Sequence, residues 1–289
     1  MLKRTLWAFY DDQMTHHAAA LTYYVLMSLF PSALVALSLL GLLGQYPDTY
    51  LAITDYLAEV VPPSVLDPID RSLRQALDSE ETAATALVLA VPLALYGTTG
   101  ALEAARRALN VVFELKGGGR SFLRRKTIDA ASAVVLMTLV LLSIVMAFLG
   151  GAFAEDVLGF LGLGESATRI WNLARWPGAL LVAMLAFAFV YYVTPDVRHR
   201  GFRWLTPGAA AAVLLWLAAT LVFSTYVSNV ADVGAVYGTF AGAILLVAWL
   251  WLSNVALLFG AELNAEIERE KELAEGVPSP QTLNRTARG

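Results

Sequence analysis

The sequence predicts an all-α, polytopic membrane protein, and three observations carry that prediction. Of 289 residues, 58% are hydrophobic and 15% charged, against about 25% charged in an ordinary soluble domain. The apolar residues gather into six long blocks, too long for strands and too continuous for the spaced stripe of a soluble helix. Inside those blocks Arg175 is the only Asp, Glu, Lys or Arg. Lipid offers the backbone no hydrogen-bond partner, so such runs satisfy themselves as helices. The alternating strands of about 10 residues that build a barrel do not match them.

The six predicted spans are 18–44, 83–102, 130–152, 172–194, 207–228 and 238–261. A helix rising about 1.5 Å per residue crosses a hydrocarbon core of about 30 Å with about 20 apolar residues, so each block is long enough. Residues 1–17 form an N-terminal segment, 18–270 the six-helix transmembrane domain, and 271–289, with Pro278 and Pro280 among scattered polar residues, a disordered tail. The first apolar stretch is too long for a cleavable signal peptide and lacks a small-residue cleavage site.

Between the first two spans lies a long outer connection, 45–82. In 64–79, Leu66, Ile69, Leu73 and Leu77 recur at steps of three and four, opposite Asp67, Asp70, Arg71, Arg74 and Asp78. This spacing predicts an amphipathic helix, which Pro62 and Pro63 separate from a similar run at 49–61. The resulting hairpin either lies at the membrane surface or caps the outer end of the helices.

Orientation follows from the basic residues. The segments that would share one side with the N-terminus hold sixteen of the 20 Lys and Arg, so the positive-inside rule puts both termini in the cytoplasm. Trp171, Trp176 and Trp204 fall at span ends, where an amphipathic ring suits the headgroup level.

The chain has no cysteine and only three histidines, His16, His17 and His199, which excludes disulfide, thiolate and Cys/His metal chemistry. Adjacent His16 and His17 would point about 100° apart on a helix and make no bidentate site. Gly117-Gly118-Gly119 followed by Arg120, Arg124, Arg125 and Lys126 is no phosphate-cradling loop, because no strand precedes it and no GK[ST] follows. The four basic residues read as contacts for anionic headgroups, each contributing about 1 kcal/mol near a charged leaflet. No cofactor, metal or nucleic-acid partner is expected.

Candidate residues for a path through the membrane come from polar groups and helix breaks. Pro31 and Pro92 stand at the middle of two spans, and each removes a backbone hydrogen bond at membrane depth. Pro31 frees the carbonyl of Met27 beside Ser28, and Gly97 and Gly100 loosen the second span. Paired breaks point either to a transporter-type site or to packing kinks. Pro177 and Pro207 are expected at the first turn of a span, a position proline occupies at no cost. The repeated Pro-Gly-Ala that they open hints weakly at a duplicated helix pair. Glu103, Arg106 and Arg107 share a helix face just below the second span and suit a local ion pair. Arg175 needs an anion or reaches to the surface. Asn254, Leu258, Glu262 and Glu266 step by four and form one stripe of the last helix, facing either the interior or water. Gly234, Gly238 and Gly242 allow close helix packing. Asn229 and Asp232 suit the outer turn between the last two spans.

Several segments together resemble one family: AAALTYYVLMSLFPSALVALSLLG (18–41), GALEAARRALNVVFE (100–114), RWPGALL (175–181), and TPGAAAAVLLWLAATLVFSTYVSN with YGTFAGAILLVAWLWLSNVALLFGAELNAE near the C-terminus. They look like the YihY/BrkB family of bacterial inner-membrane proteins, over about residues 10–270. The resemblance implies six transmembrane helices, an inner-membrane location and, among suggested activities, transport of lipids or other amphiphiles; an older ribonuclease label for the family is a misassignment. It also marks Tyr23, Tyr24, Pro31, Glu103, Asn110, Asn229, Tyr237, Gly238, Glu262 and Asn264 as recurrent positions, without a catalytic role for any.

Three functions compete. A transporter or flippase-like protein for a lipid or other amphiphile suits the mid-span prolines, the basic rim and the near absence of charge in the spans. A non-transporting scaffold would bind other envelope proteins through 45–82. A hydrolase or nuclease would need paired carboxylates or a nucleophile with a base, which the spacing does not supply.

Overall fold

The computed structural model describes residues 1–42, 51, 54, 70–71, 74, 80–114, 122–148, 165–195, 206–229 and 241–276. Among these no strand occurs, and seven helices are complete enough to bound: α1 (Leu2–Asp11), α2 (Met14–Leu42), α3 (Glu80–Val112), α4 (Phe122–Phe148), α5 (Glu165–Val193), α6 (Pro207–Asn229) and α7 (Ala241–Ala274). The chain is all-α. Five of the seven, α2, α3, α5, α6 and α7, contain stretches long and apolar enough to cross a membrane. The remaining expected span, 130–152, falls on α4 and runs past its described end.

Backbone geometry sets the helix ends. Gln13 takes a left-handed φ of 53°, which stops α1 and turns the chain before α2; Glu114 at φ 50° follows the end of α3 in the same way. Gly276 at φ 71° ends α7 in the position glycine favours. This helix therefore runs through Lys271–Ala274, four residues into the expected tail, because nothing between Glu262 and Gly276 breaks it. The rest of the tail, from 277, lies outside the described residues. The outer hairpin is also largely outside them, but Asp70, Arg71 and Arg74 are helical, and Arg74 Nε donates to Asp70 Oδ2 at 2.9 Å one turn away.

Pro207 opens α6 as expected, with Thr206 before it as the cap: Ala209 N–H donates to Thr206 Oγ1 at 3.1 Å. Pro177 does not open a helix. It sits inside α5, which begins at Glu165, twelve residues earlier, on polar residues that a hydropathy window leaves out. Pro31 and Pro92 are likewise inside continuous helices.

The described chain forms two compact units. The first comprises Met1–His17, Ala105–Leu217 and Val255–Gly289. Its core is a set of small-residue faces at helical spacing: Ala179, Val182, Ala186 and Val190 on α5, Ala209, Ala212 and Val213 on α6, Leu257, Leu258, Ala261 and Ala265 on α7. At Gly208 and Gly260 the backbones of α6 and α7 come so close that a methyl group on Gly260 would meet Ala212 Cβ at 2.6 Å. Tyr191 of α5 joins them by donating to the Leu257 carbonyl at 2.5 Å. Asn264 of α7 completes the cap of α6: its Oδ1 accepts from Gly208 N–H at 2.8 Å and its Nδ2 donates to Thr206 Oγ1 at 2.9 Å.

The second unit comprises Ala18–Ala104 and Ala218–Asn254. Here α2 and α3 run antiparallel, with Gly100 against the Tyr24 ring and Gly97 against Ser28; a methyl group on Gly97 would meet Ser28 Cβ at 2.7 Å. These glycines, expected to loosen the second span, are the contact points of a tight pair. Hydroxyl groups within the helices are satisfied locally. Thr98 and Thr99 donate to the carbonyls four residues earlier at 2.7 Å, and Ser253 does so at 2.8 Å.

Candidate functional site

The polar groups that stand out are those the helices bury. In the first unit, Ala105 and Ala108 keep the α3 surface low around Arg106, and Asp129 shares a buried face of α4 with Ser132 and Ala133. Arg106 Nη2 donates to Asp129 Oδ1, and both side chains are only 4% exposed. Removing two charges from water costs several kcal/mol each, and the attraction between them repays this only when the remaining donors and acceptors are also satisfied. Here they are not: Arg106 Nε and Nη1 and Asp129 Oδ2 are buried without a partner among the described residues. The guanidinium, with five N–H groups in a fixed fork, retains the capacity to grip an oxyanion, and the carboxylate retains an acceptor for a cation.

Glu262 and Glu266, one turn apart on α7, are 0% and 1% exposed. Arg269 Nη2 donates to Glu266 Oε1, while Glu266 Oε2 is buried without a partner among the described residues. An exposed pair, Arg4 Nη2 to Glu270 Oε1, ties α1 to the same helix. In the second unit Asn254 is buried and its Nδ2 donates to Thr22 Oγ1 at 3.1 Å, and Thr22 in turn donates to the Ala18 carbonyl at 2.8 Å.

The stripe Asn254, Leu258, Glu262 and Glu266 is thus buried along its length. The partner of Arg106 is a correction: the spacing with Glu103 suggested a pair along α3, whereas the structure pairs Arg106 with Asp129 on α4. A lone carboxylate at the foot of an apolar block, 23 residues after the first of two adjacent arginines, was the available signal. Glu103 and Asn110 are half-buried and Arg107 is exposed. Arg175, half-buried, lies in α5 with its guanidinium carbon 5.3 Å from the Trp176 ring centre. Tyr23 is exposed, Tyr24 half-buried, and their rings meet edge to face at 5.2 Å. Ser28 donates to the Val25 carbonyl at 2.9 Å, not toward the carbonyl of Met27.

Pro31 is half-buried, but Pro92 is exposed among Val91, Leu93, Leu95 and Tyr96. Thus Pro92 is not one of the buried groups, and the idea of two matching breaks around one interior site loses its second member. His16 is exposed and His17 half-buried, as divergent neighbours on a helix should be. Gly242 is buried at the start of α7; Gly234, Gly238 and Arg120 lie outside the described residues. Asn229 ends α6, and Arg124, Arg125 and Lys126 lie in the first turns of α4, Lys126 half-buried. Among the described residues no three of His, Asp and Glu gather as a metal ion would require.

Comparison with known proteins supplies the context. A family model described as virulence factor BrkB matches residues 5–285. The chain is 26% identical over 261 residues to ribonuclease-like protein YfkH of Bacillus subtilis (strain 168), covering 90% of this chain and 92% of that one. It is 26% identical over 266 residues to a UPF0761 membrane protein of Pseudoalteromonas translucida (strain TAC 125), covering 90% and 83%. A UPF0761 membrane protein of Mannheimia succiniciproducens is 22% identical over 258 residues, covering 89% and 85%. No solved structure matches.

Proposed function

The chain belongs to the BrkB family of integral membrane proteins, and from that premise we propose that it moves a lipid or similar amphiphile between the leaflets of a bacterial inner membrane. In this reading it crosses six times with both termini in the cytoplasm, and the uneven distribution of Lys and Arg supports that orientation.

The observation that carries the reading is the buried Arg106–Asp129 pair with unspent Nε, Nη1 and Oδ2 atoms. A chain built only for stability gains nothing from such a pair, since apolar residues of the same volume would serve as well or better. Polar groups buried within membrane helices mark substrate or ion pathways by default. A phospholipid head complements the leftover groups, because its phosphate accepts from the guanidinium and an amine, where present, donates to the carboxylate. The remaining apolar surfaces suit the acyl tails.

The test is lipid scrambling in vesicles containing the purified protein, with fluorescent phosphatidylethanolamine and phosphatidylglycerol as probes and dithionite quenching as readout. Quenching of both leaflets at a rate above that of protein-free vesicles is expected for at least one of the two. Folded protein that leaves the inner leaflet protected for both lipids contradicts the proposal.

A further inference from the structure

The first helix carries an apolar face that stays exposed among the described residues. Thr5 and Phe9 of α1 are buried, Phe9 against Phe259 of α7 with ring centres 6.1 Å apart. At 3.6 residues per turn, the side chains of Leu2, Leu6, Tyr10, Lys3 and Trp7 follow one another around an adjoining arc of about 140°. All five are exposed, Trp7 at 78% and Tyr10 at 73%. Asp11, the helix's only acid, is outside the arc. Two residues, Asp12 and Gln13, separate α1 from α2, whose membrane-crossing stretch begins at Met14.

We propose that α1 is a membrane-surface helix whose Leu2, Leu6, Trp7 and Tyr10 face rests in the headgroup layer of an anionic phospholipid leaflet, with Lys3 paired to lipid phosphate. Three features select this occupant. The short link to α2 holds the C-terminal end of α1 at the mouth of a span. Trp and Tyr, each with an apolar body and a polar tip, are the residues that the headgroup level favours. The charge within the arc is positive and complements anionic lipid. The arc is separate from the face that packs on α7, so lipid contact and internal packing do not compete.

The chain has no cysteine, so single cysteines can carry a nitroxide label in the full-length protein. The labelled variants are Leu6→Cys, Tyr10→Cys and, as a control on the exposed turn just past the end of α7, Glu275→Cys, each in vesicles of phosphatidylglycerol and phosphatidylcholine in equal parts. A group immersed by about 5–10 Å is expected to collide with oxygen in preference to a water-soluble nickel chelate, by roughly a threefold higher ratio at 6 and 10 than at 275. Lys3→Glu lowers the ratio at 6 and 10 in these vesicles and leaves it unchanged in pure phosphatidylcholine. Equal ratios at all three positions overturn the proposal. So does spin–spin broadening of a Trp7→Cys label, which shows a second copy of the chain on this face.

Discussion

Arg106 of α3 and Asp129 of α4 form an ion pair in which each side chain is only 4% exposed, and two nitrogens of the one and one oxygen of the other are buried without a partner among the described residues. The consequence is an asymmetry between breaking the pair and replacing it. Asp129→Ala leaves a buried guanidinium uncompensated and should destabilise the protein by about 3–5 kcal/mol. Arg106→Met with Asp129→Leu removes both charges at similar volume and should return most of that loss. Thermal unfolding of the three proteins in detergent checks the order; a double variant less stable than the single one would show that the pair itself holds the unit together.

The exposed pair between Arg4 and Glu270 should behave in the opposite way. Its side chains are 55% and 35% exposed, so water and salt screen it, and Glu270→Gln should cost less than about 1 kcal/mol. The same unfolding assay applies, with the difference shrinking further at high salt.

The close approach of α6 and α7 offers a packing test. A methyl group on Gly208 would strike the Gly260 carbonyl and the Asn264 amide, which also holds the capping N–H of Gly208. Backbone cannot move aside as a flexible side chain does, so Gly208→Ala should destabilise by about 1–3 kcal/mol. An unchanged unfolding temperature would place the two helices further apart than described.

The hydrogen bond from Asn254 to Thr22 Oγ1 can be measured by a double-mutant cycle with Asn254→Leu and Thr22→Val. Polar contacts between membrane helices average about 0.6 kcal/mol, so a coupling of that order is expected. Additive single effects would show that the two side chains do not meet.

The helical class and most of the spans were legible because lipid imposes a simple rule on sequence: long apolar blocks must become helices. The stripe of α7 was legible as a shared face, since Asn254, Leu258, Glu262 and Glu266 step by four, but its burial was not, because spacing alone leaves interior and water as equal alternatives. Pairing between helices was not. Nothing in the local pattern separates Glu103, three residues from Arg106, from Asp129, 23 residues away; only the packing of α3 on α4 does. Pro177 was misplaced because hydropathy finds the apolar part of a helix and not its polar start at Glu165. Gly97 and Gly100 were read as looseness because propensity describes an isolated helix, whereas here their missing side chains admit Ser28 and Tyr24. The open face of α1 escaped notice because ten residues are too few to register as a span.

The most direct measurement for the account as a whole compares lipid scrambling by the wild-type protein and by the Arg106→Met/Asp129→Leu variant in vesicles of the same composition. If the pair handles lipid heads, wild type scrambles above the protein-free rate, and the variant, with an unfolding temperature close to wild type, falls back to that rate. A folded variant that scrambles as fast as wild type would contradict the assignment of the pair to the lipid path.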